Sequence, residues 1–276
     1  MKNRIRMAAA LGAVAALGVA GFALAQAQAP APSIQDGIAE YREMLADGNP
    51  AELYMMKGEE LWRTARGPRN ASLERCDLGK GPGVIKGAFV ELPRFFADTG
   101  RVQDLESRIL TCMQTLQGID TDREVSSRGY LRGETANVVA MATWVASESK
   151  GMRFNVPQAH QAERTMYELG KRAFFWRAGT HDFSCATCHG VDGKRIRLQE
   201  LPNLTGNPGD GVGFAAWPAY RVSNGQMWSM QHRLHDCFRQ MRWPEPKFAS
   251  DVTIALSVYM GVNAKGAASA IPTIKR

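Results

Sequence analysis

Apolar residues recur at every third or fourth position along several stretches of this 276-residue chain, the spacing that lines one face of an α-helix. Ile34, Ile38, Tyr41 and Leu45 follow this rule over 34–46, and the turn formers Asp47-Gly48-Asn49-Pro50 stop the run. A second helix is predicted over 51–66, ended by Gly67-Pro68, and others over 102–116 and 136–148. In the second half, 157–176, 226–241 and 249–260 read the same way. Residues 195–220, rich in Pro, Gly and Asn, read as loop. No stretch shows strong strand alternation, so the chain reads as mainly α.

One apolar stretch has a different character. Lys2, Arg4 and Arg6 precede an uncharged Ala/Gly/Leu/Val run from Met7 to Ala25, and small-x-small sites follow at Ala25 and Ala27. This is the pattern of a secretory signal peptide over 1–25, cleaved near Ala25 or Ala27. No other stretch is long and apolar enough to span a membrane. Without Lys2, Arg4 and Arg6, the 34 basic residues exceed the 27 acidic ones by only four. That balance is not a nucleic-acid signature.

The chemistry centres on Cys185-Ala186-Thr187-Cys188-His189. C-x-x-C-H is the attachment signature of a c-type haem: two cysteines one helical turn apart add to the porphyrin vinyl groups, and the histidine binds the iron. A zinc site would need two more ligands at matching spacing, and no second CxxC or HxxxH exists. Haem c is attached outside the cytoplasm, so motif and leader agree on a bacterial periplasm. Of the five cysteines, Cys76, Cys112 and Cys237 remain.

The two halves of the chain echo each other. Arg108-Ile109-Leu110-Thr111-Cys112 parallels Arg233-Leu234-His235-Asp236-Cys237, and Gly79-Lys80 with Glu91-Leu92-Pro93 parallels Gly193-Lys194 with Glu200-Leu201-Pro202. Tyr54, Gly58 and Trp62-Arg63 are echoed by Tyr167, Gly170 and Trp176-Arg177, and Trp144-Val145-Ala146 by Tyr259-Met260-Gly261. We read two cytochrome c-like domains in tandem, 35–150 and 155–276. Cys76 then falls at the place of Cys188 and Cys112 at that of Cys237. The first domain lacks the rest of a CxxCH, and its two cysteines can close as a disulfide. A bridge over a loop of that length contributes on the order of 3–4 kcal/mol if unstrained.

The sixth iron ligand decides what the haem does. Met227, Met230 and Met241 lie at suitable distances after CxxCH, as do His232, His235 and Cys237. Met/His ligation is that of electron-transfer cytochromes, whereas a Cys237 thiolate explains the odd cysteine. Arg233 stands one turn before Cys237 on the same helix face, where a cation favours a thiolate and a guanidinium suits a multi-oxygen anion. Arg239, Arg242, Arg221 and Lys194 can widen the basic region, and Asp236 reads as a solvated neighbour pointing elsewhere.

The segments Cys-Asp-Leu-Gly-Lys-Gly-Pro-Gly at 76–83, Glu-Leu-Pro-Arg at 91–94, Phe-Ser-Cys-Ala-Thr-Cys-His at 183–189 and Arg-Leu-His-Asp-Cys at 233–237 resemble the SoxA family. These are the larger subunits of the SoxAX cytochromes of bacterial thiosulfate oxidation. The likeness covers nearly the whole mature chain, with Arg-x-x-x-Cys its most specific part. Some members carry two haems; this sequence departs from them at the first site and is similar to the single-haem branch. The resemblance implies one haem c on Cys185 and Cys188, iron ligation by His189 and by Cys237 as thiolate or persulfide, and a Cys76–Cys112 disulfide.

It also implies an L-cysteine S-thiosulfotransferase in which Cys237 and Arg233 are catalytic. Thiosulfate would be joined to Cys237 and passed to a cysteine of the carrier SoxYZ. Electrons would leave through haem, the heterodimer partner SoxX and a soluble cytochrome c. Two other classes stay open on the residues alone: a plain electron-transfer c-type cytochrome, and a thiosulfate dehydrogenase that couples two thiosulfates to tetrathionate.

Overall fold

Asn49 leads into α1 (Ala51–Arg63), its side chain accepting from the Ala51 amide at 2.9 Å. The structure, a computed structural model, describes residues 37, 40, 43–44 and 48–275, apart from 123–124, 126–133, 197–198 and 207–212. The leader and most of the helix predicted over 34–46 lie outside the described residues.

After α1 a long loop leads to an antiparallel hairpin, β1 (Arg94–Phe96) and β2 (Arg101–Gln103), in the register Arg94–Gln103, Phe95–Val102, Phe96–Arg101. Asp104 then caps α2 (Leu105–Cys112), accepting from the Ser107 amide at 2.9 Å. The helix widens into a π-turn over Met113–Gln117 and ends at Gly118, whose positive φ of 73° suits glycine. Next comes α3 (Glu134–Ser147).

The second half starts again with α4 (Gln161–Phe175), opened by a capping box of His160 and Glu163. The short α5 (Cys185–His189) follows, then a two-residue hairpin of β3 (Arg195–Ile196) and β4 (Gln199–Glu200). A larger hairpin pairs β5 (Ala219–Arg221) with β6 (Gln226–Trp228), leading into α6 (Met230–Gln240) and α7 (Asp251–Asn263). The final strand, β7 (Thr273–Lys275), lies parallel to β5.

The helices stand within a residue or a few of their predicted bounds, with one consistent correction. Residues 102–103 and 226–228, expected as helix starts, lie in strands of hairpins. Three-residue strands are too short to show alternation. These two hairpins occupy matching places, and the likeness extends in both directions at one constant spacing along the chain. Cis-Pro93 matches cis-Pro218 rather than Pro202, Arg94–Phe96 matches Ala219–Arg221, Arg101–Gln103 matches Gln226–Trp228, and Arg108 and Cys112 match Arg233 and Cys237.

Glycine sets the helix crossings in both halves. A Cβ on Gly58 would sit 2.1 Å from the Ala140 carbonyl oxygen, and one on Gly170 would sit 1.9 Å from that of Ala255. The backbones of α1 and α3, and of α4 and α7, therefore touch directly. Trp62, one turn past Gly58, lies against Trp144 with centroids 5.8 Å apart, and Phe174, one turn past Gly170, lies against Tyr259 at 5.0 Å. So Phe174, not the exposed Trp176, is the counterpart of Trp62. Sequence pairing favoured the tryptophan because it weighs identity over the four-residue step to the core. Gly170→Ala is expected to lower the melting temperature by about 5–10 °C through overpacking; an unchanged thermal melt would contradict the close crossing.

Residues 42–276 form one compact unit, and its main core draws on both halves: Trp62, Met113 and Met141 from the first, Phe174, Leu256 and Tyr259 from the second. Phe154 joins them, edge-on to both Phe89 and Phe214 at 5.5 Å.

The halves are also joined through polar groups. Glu106, on the first turn of α2, is 6% exposed and takes hydrogen bonds from the Ser229 side chain and the Gln231 amide, at the N-terminus of α6. Asp104 accepts from the side chain of Gln231 beside it. A helix N-terminus is a favourable place for a carboxylate. Burial, with the nearby Asp104, nonetheless pushes Glu106 up to about 8. A water-sized cavity of about 20 Å³ adjoins the pair, lined also by Phe89, Phe214, Trp217 and Met230. Because the folded form binds the proton more tightly, stability is greatest below the carboxyl's ordinary pKa and is lost as pH rises to about 8. Glu106→Gln is expected to flatten that decline and raise the melting temperature at pH 8 relative to the unsubstituted chain. A parallel decline in both proteins would contradict it.

Candidate active site

The CxxCH helix is opened by Ser184, whose side chain accepts from the Thr187 amide at 3.2 Å while Thr187 accepts from the Ser184 amide at 2.9 Å. This fixes Cys185 and Cys188 one turn apart on a short helix. Neither is in a disulfide. His189 is oriented by its Nδ1, 2.8 Å from the Pro202 carbonyl oxygen. A carbonyl only accepts, so Nδ1 carries the proton and Nε2 presents its lone pair. Burial, with Arg233 nearby, lowers the His189 pKa, against the pull of the Pro202 carbonyl. The imidazole therefore stays neutral, as an iron ligand must be. Two free thiols and a neutral, oriented imidazole fit a covalently held haem, and Phe183, Val191 and Ile196 leave apolar surface exposed along the flanking segments.

Cys237 reaches the same place from α6. It lies within electrostatic range of both Cys185 and Cys188, and Arg233 acts on both His189 and Cys237. Residues nearly fifty positions apart in sequence thus converge. In the first half Cys112, the counterpart of Cys237, is bonded to Cys76, with Cα atoms 5.6 Å apart.

Two expectations about this helix change. Asp236 is buried rather than solvated, and it holds three donors: Arg233 Nη1 at 2.9 Å, Arg239 Nη2 at 2.6 Å and the Gln240 amide at 2.6 Å. At three and four residues' spacing these side chains share a helix face with it, a signal present in the sequence. Second, the Cys237 thiol is not pulled toward thiolate by its surroundings. Burial raises its pKa and outweighs the lowering by Arg233 and Arg221.

The other ligand candidates have packing or hydrogen-bonding partners of their own. Met227 is buried against Ala51 and Val139, Met230 packs beside Trp217 and Trp228, and Met241 is in the main core. His232 is buried, its Nδ1 3.2 Å from the Ser229 hydroxyl, and burial pulls it down to about 3. His235 Nε2 faces Glu245 at 3.0 Å. Pro202 and Glu106, which position His189 and α6, were not singled out as functional by sequence. Both act through contacts between segments far apart in the chain.

The SoxA/TsdA cytochrome c domain family matches residues 57–154, the half without CxxCH. The L-cysteine S-thiosulfotransferase subunit SoxA of Hydrogenophilus thermoluteolus is 56% identical over 87% of both chains. The chain belongs to the SoxA family. A SoxA of Hydrogenobacter thermophilus is 34% identical over 96% of both chains. The solved SoxXA structure from P. pantotrophus superposes with a TM-score of 0.71 at 25% identity, covering 86% of this chain and 84% of that one. A SoxA cytochrome c-like fold, mainly helical with small sheets, is thereby established, and a cytochrome c domain implies haem c. Among the described residues no helix is long and apolar enough to cross a membrane.

Proposed function

We propose that this SoxA-family chain is the catalytic subunit of an L-cysteine S-thiosulfotransferase, acting in the periplasm after loss of the 1–25 leader. The observation that carries the reading is the convergence of Arg233 and Cys237 on the CxxCH residues. The domains are a haem-less half, 35–150, kept closed by Cys76–Cys112, and a half binding one haem c, 155–276. Cys185 and Cys188 would hold the haem covalently, and His189 and Cys237 would bind its iron. SoxX completes the heterodimer, with SoxYZ as protein substrate and a soluble cytochrome c as final acceptor.

Thiosulfate, a dianion, is drawn toward Arg233, whose planar fork binds its oxygens. That leaves the terminal sulfur toward Cys237. Joining the Cys237 thiolate to this sulfur makes an S–S bond and releases two electrons. Bound haem c supplies an iron that takes the thiol as thiolate and an acceptor for those electrons. The carrier thiolate then attacks the sulfur attached to Cys237, takes the thiosulfonate and returns Cys237 as thiolate, an exchange of the thiol–disulfide kind. Asp236 keeps Arg233 in place throughout.

The test is product analysis of the haem-loaded complex with SoxX, thiosulfate and oxidised cytochrome c, with and without SoxYZ. The carrier should gain one thiosulfonate per reactive cysteine, with little tetrathionate in its absence. Rapid tetrathionate formation without carrier would instead identify a thiosulfate dehydrogenase.

A further inference from the structure

The first half provides an internal comparison for the second. Arg108, the counterpart of Arg233, is 4% exposed. Its guanidinium lies 4.0 Å over the Phe96 ring and donates to both oxygens of Asp98, at 3.0 and 2.8 Å, and to the Asp77 carbonyl at 2.6 Å. One cation, one ring and one carboxylate make a neutral, satisfied cluster.

The second half changes two of these members. Phe96 ends β1, and its counterpart at the end of β5 is Arg221. Asp98, two residues later, has Ser223 as its counterpart. A ring has become a second guanidinium, and the carboxylate has gone. Asp236 replaces it only in part, because Arg239 and Gln240 share it with Arg233.

Arg221 is held over Trp228 at 5.3 Å. Its Nε is buried and has no hydrogen-bond partner among the described residues. A buried donor left unmade destabilises the free site, and a ligand oxygen would recover that loss. Its surroundings place it with the thiol: Arg221 interacts electrostatically with Arg233, Asp236 and Cys237, and burial with the like charge of Arg233 lowers its pKa. Two guanidiniums beside one thiol, with an excess of positive charge, match a small anion bearing several oxygens.

We propose that Arg221 is a second substrate-binding residue, which together with Arg233 grips the sulfonate oxygens of thiosulfate and leaves the terminal sulfur facing Cys237. The assignment deepens the thiosulfotransferase reading and rests on it for the identity of the anion.

Arg221→Phe, which copies the first half, and Arg221→Lys test it in the haem-loaded SoxX complex. Arg221→Phe should raise the thiosulfate KM by about tenfold or more, with kcat within about threefold and the KM for SoxYZ unchanged. Arg221→Lys should fall between. Binding is read separately by calorimetry with thiosulfate on a Cys237→Ser complex, which cannot form the adduct. There Arg221→Phe should weaken Kd by a similar factor. KM and Kd both within twofold of the Arg221 protein would overturn the proposal, as would no thiosulfate binding with Arg221 intact. Arg221-dependent binding in a complex that never modifies SoxYZ would contradict the transferase reading and leave the anion site standing.

Discussion

Cys237→Ala should reduce thiosulfonation of the carrier by roughly a thousandfold or more, the scale seen when a covalent catalytic group is removed. Haem attachment should survive, because the proposed attachment is through Cys185 and Cys188. The fold should also survive. The N-terminus of α6 is held by Glu106 and Asp104 from the first half, and its inner face is packed through Leu234 and Phe238. The visible absorption spectrum should change with loss of the proposed Cys237 ligand, so ligation and chemistry can be followed on one sample. Initial rates of carrier modification with a spectrum and a melting curve check all three. A variant that modifies SoxYZ at the original rate would remove Cys237 from the mechanism and leave a plain electron-transfer role.

Arg233→Ala is expected to lower kcat/KM for thiosulfate about a hundredfold, from the loss of a charge-assisted, two-pronged contact. The stability effect should be smaller. Arg233 shares the buried carboxylate of Asp236 with Arg239 and Gln240, so Asp236 keeps two of three donors and is not left as an unpaired buried charge. Arg233→Lys keeps the charge without the planar fork and should fall between. Steady-state rates at several salt concentrations separate these cases: a charge effect weakens as ionic strength rises, whereas the loss of the fork persists. Unchanged kcat/KM in Arg233→Ala would mean the guanidinium serves only to hold Asp236.

The local chemistry of this site was legible in the sequence because each motif is compact. CxxCH fits in five residues and Arg-x-x-x-Cys in one helical turn, and the main helices follow from apolar spacing. What bound these pieces together was less legible. The β1–β2 and β5–β6 hairpins are three residues per strand, too short for alternation to register, although Pro93 and Pro218 mark where both begin. The true partner of Trp62 is Phe174, because the glycine crossing and not residue identity sets the alignment. Nothing in the local sequence marks Glu106, and only the fold brings it against Ser229 and Gln231. The burial that raises the Cys237 pKa is likewise a product of tertiary packing, invisible to a reading that saw the nearby arginine alone.

In the proposed reaction thiosulfate is carried on Cys237. The most direct test is peptide mass mapping of the haem-loaded SoxX complex after incubation with thiosulfate and oxidised cytochrome c, first without SoxYZ and then after its addition. One S₂O₃ unit is expected on the Cys237 peptide, lost when SoxYZ is added and recovered on the carrier cysteine. An unmodified Cys237 peptide alongside a thiosulfonated carrier would contradict it.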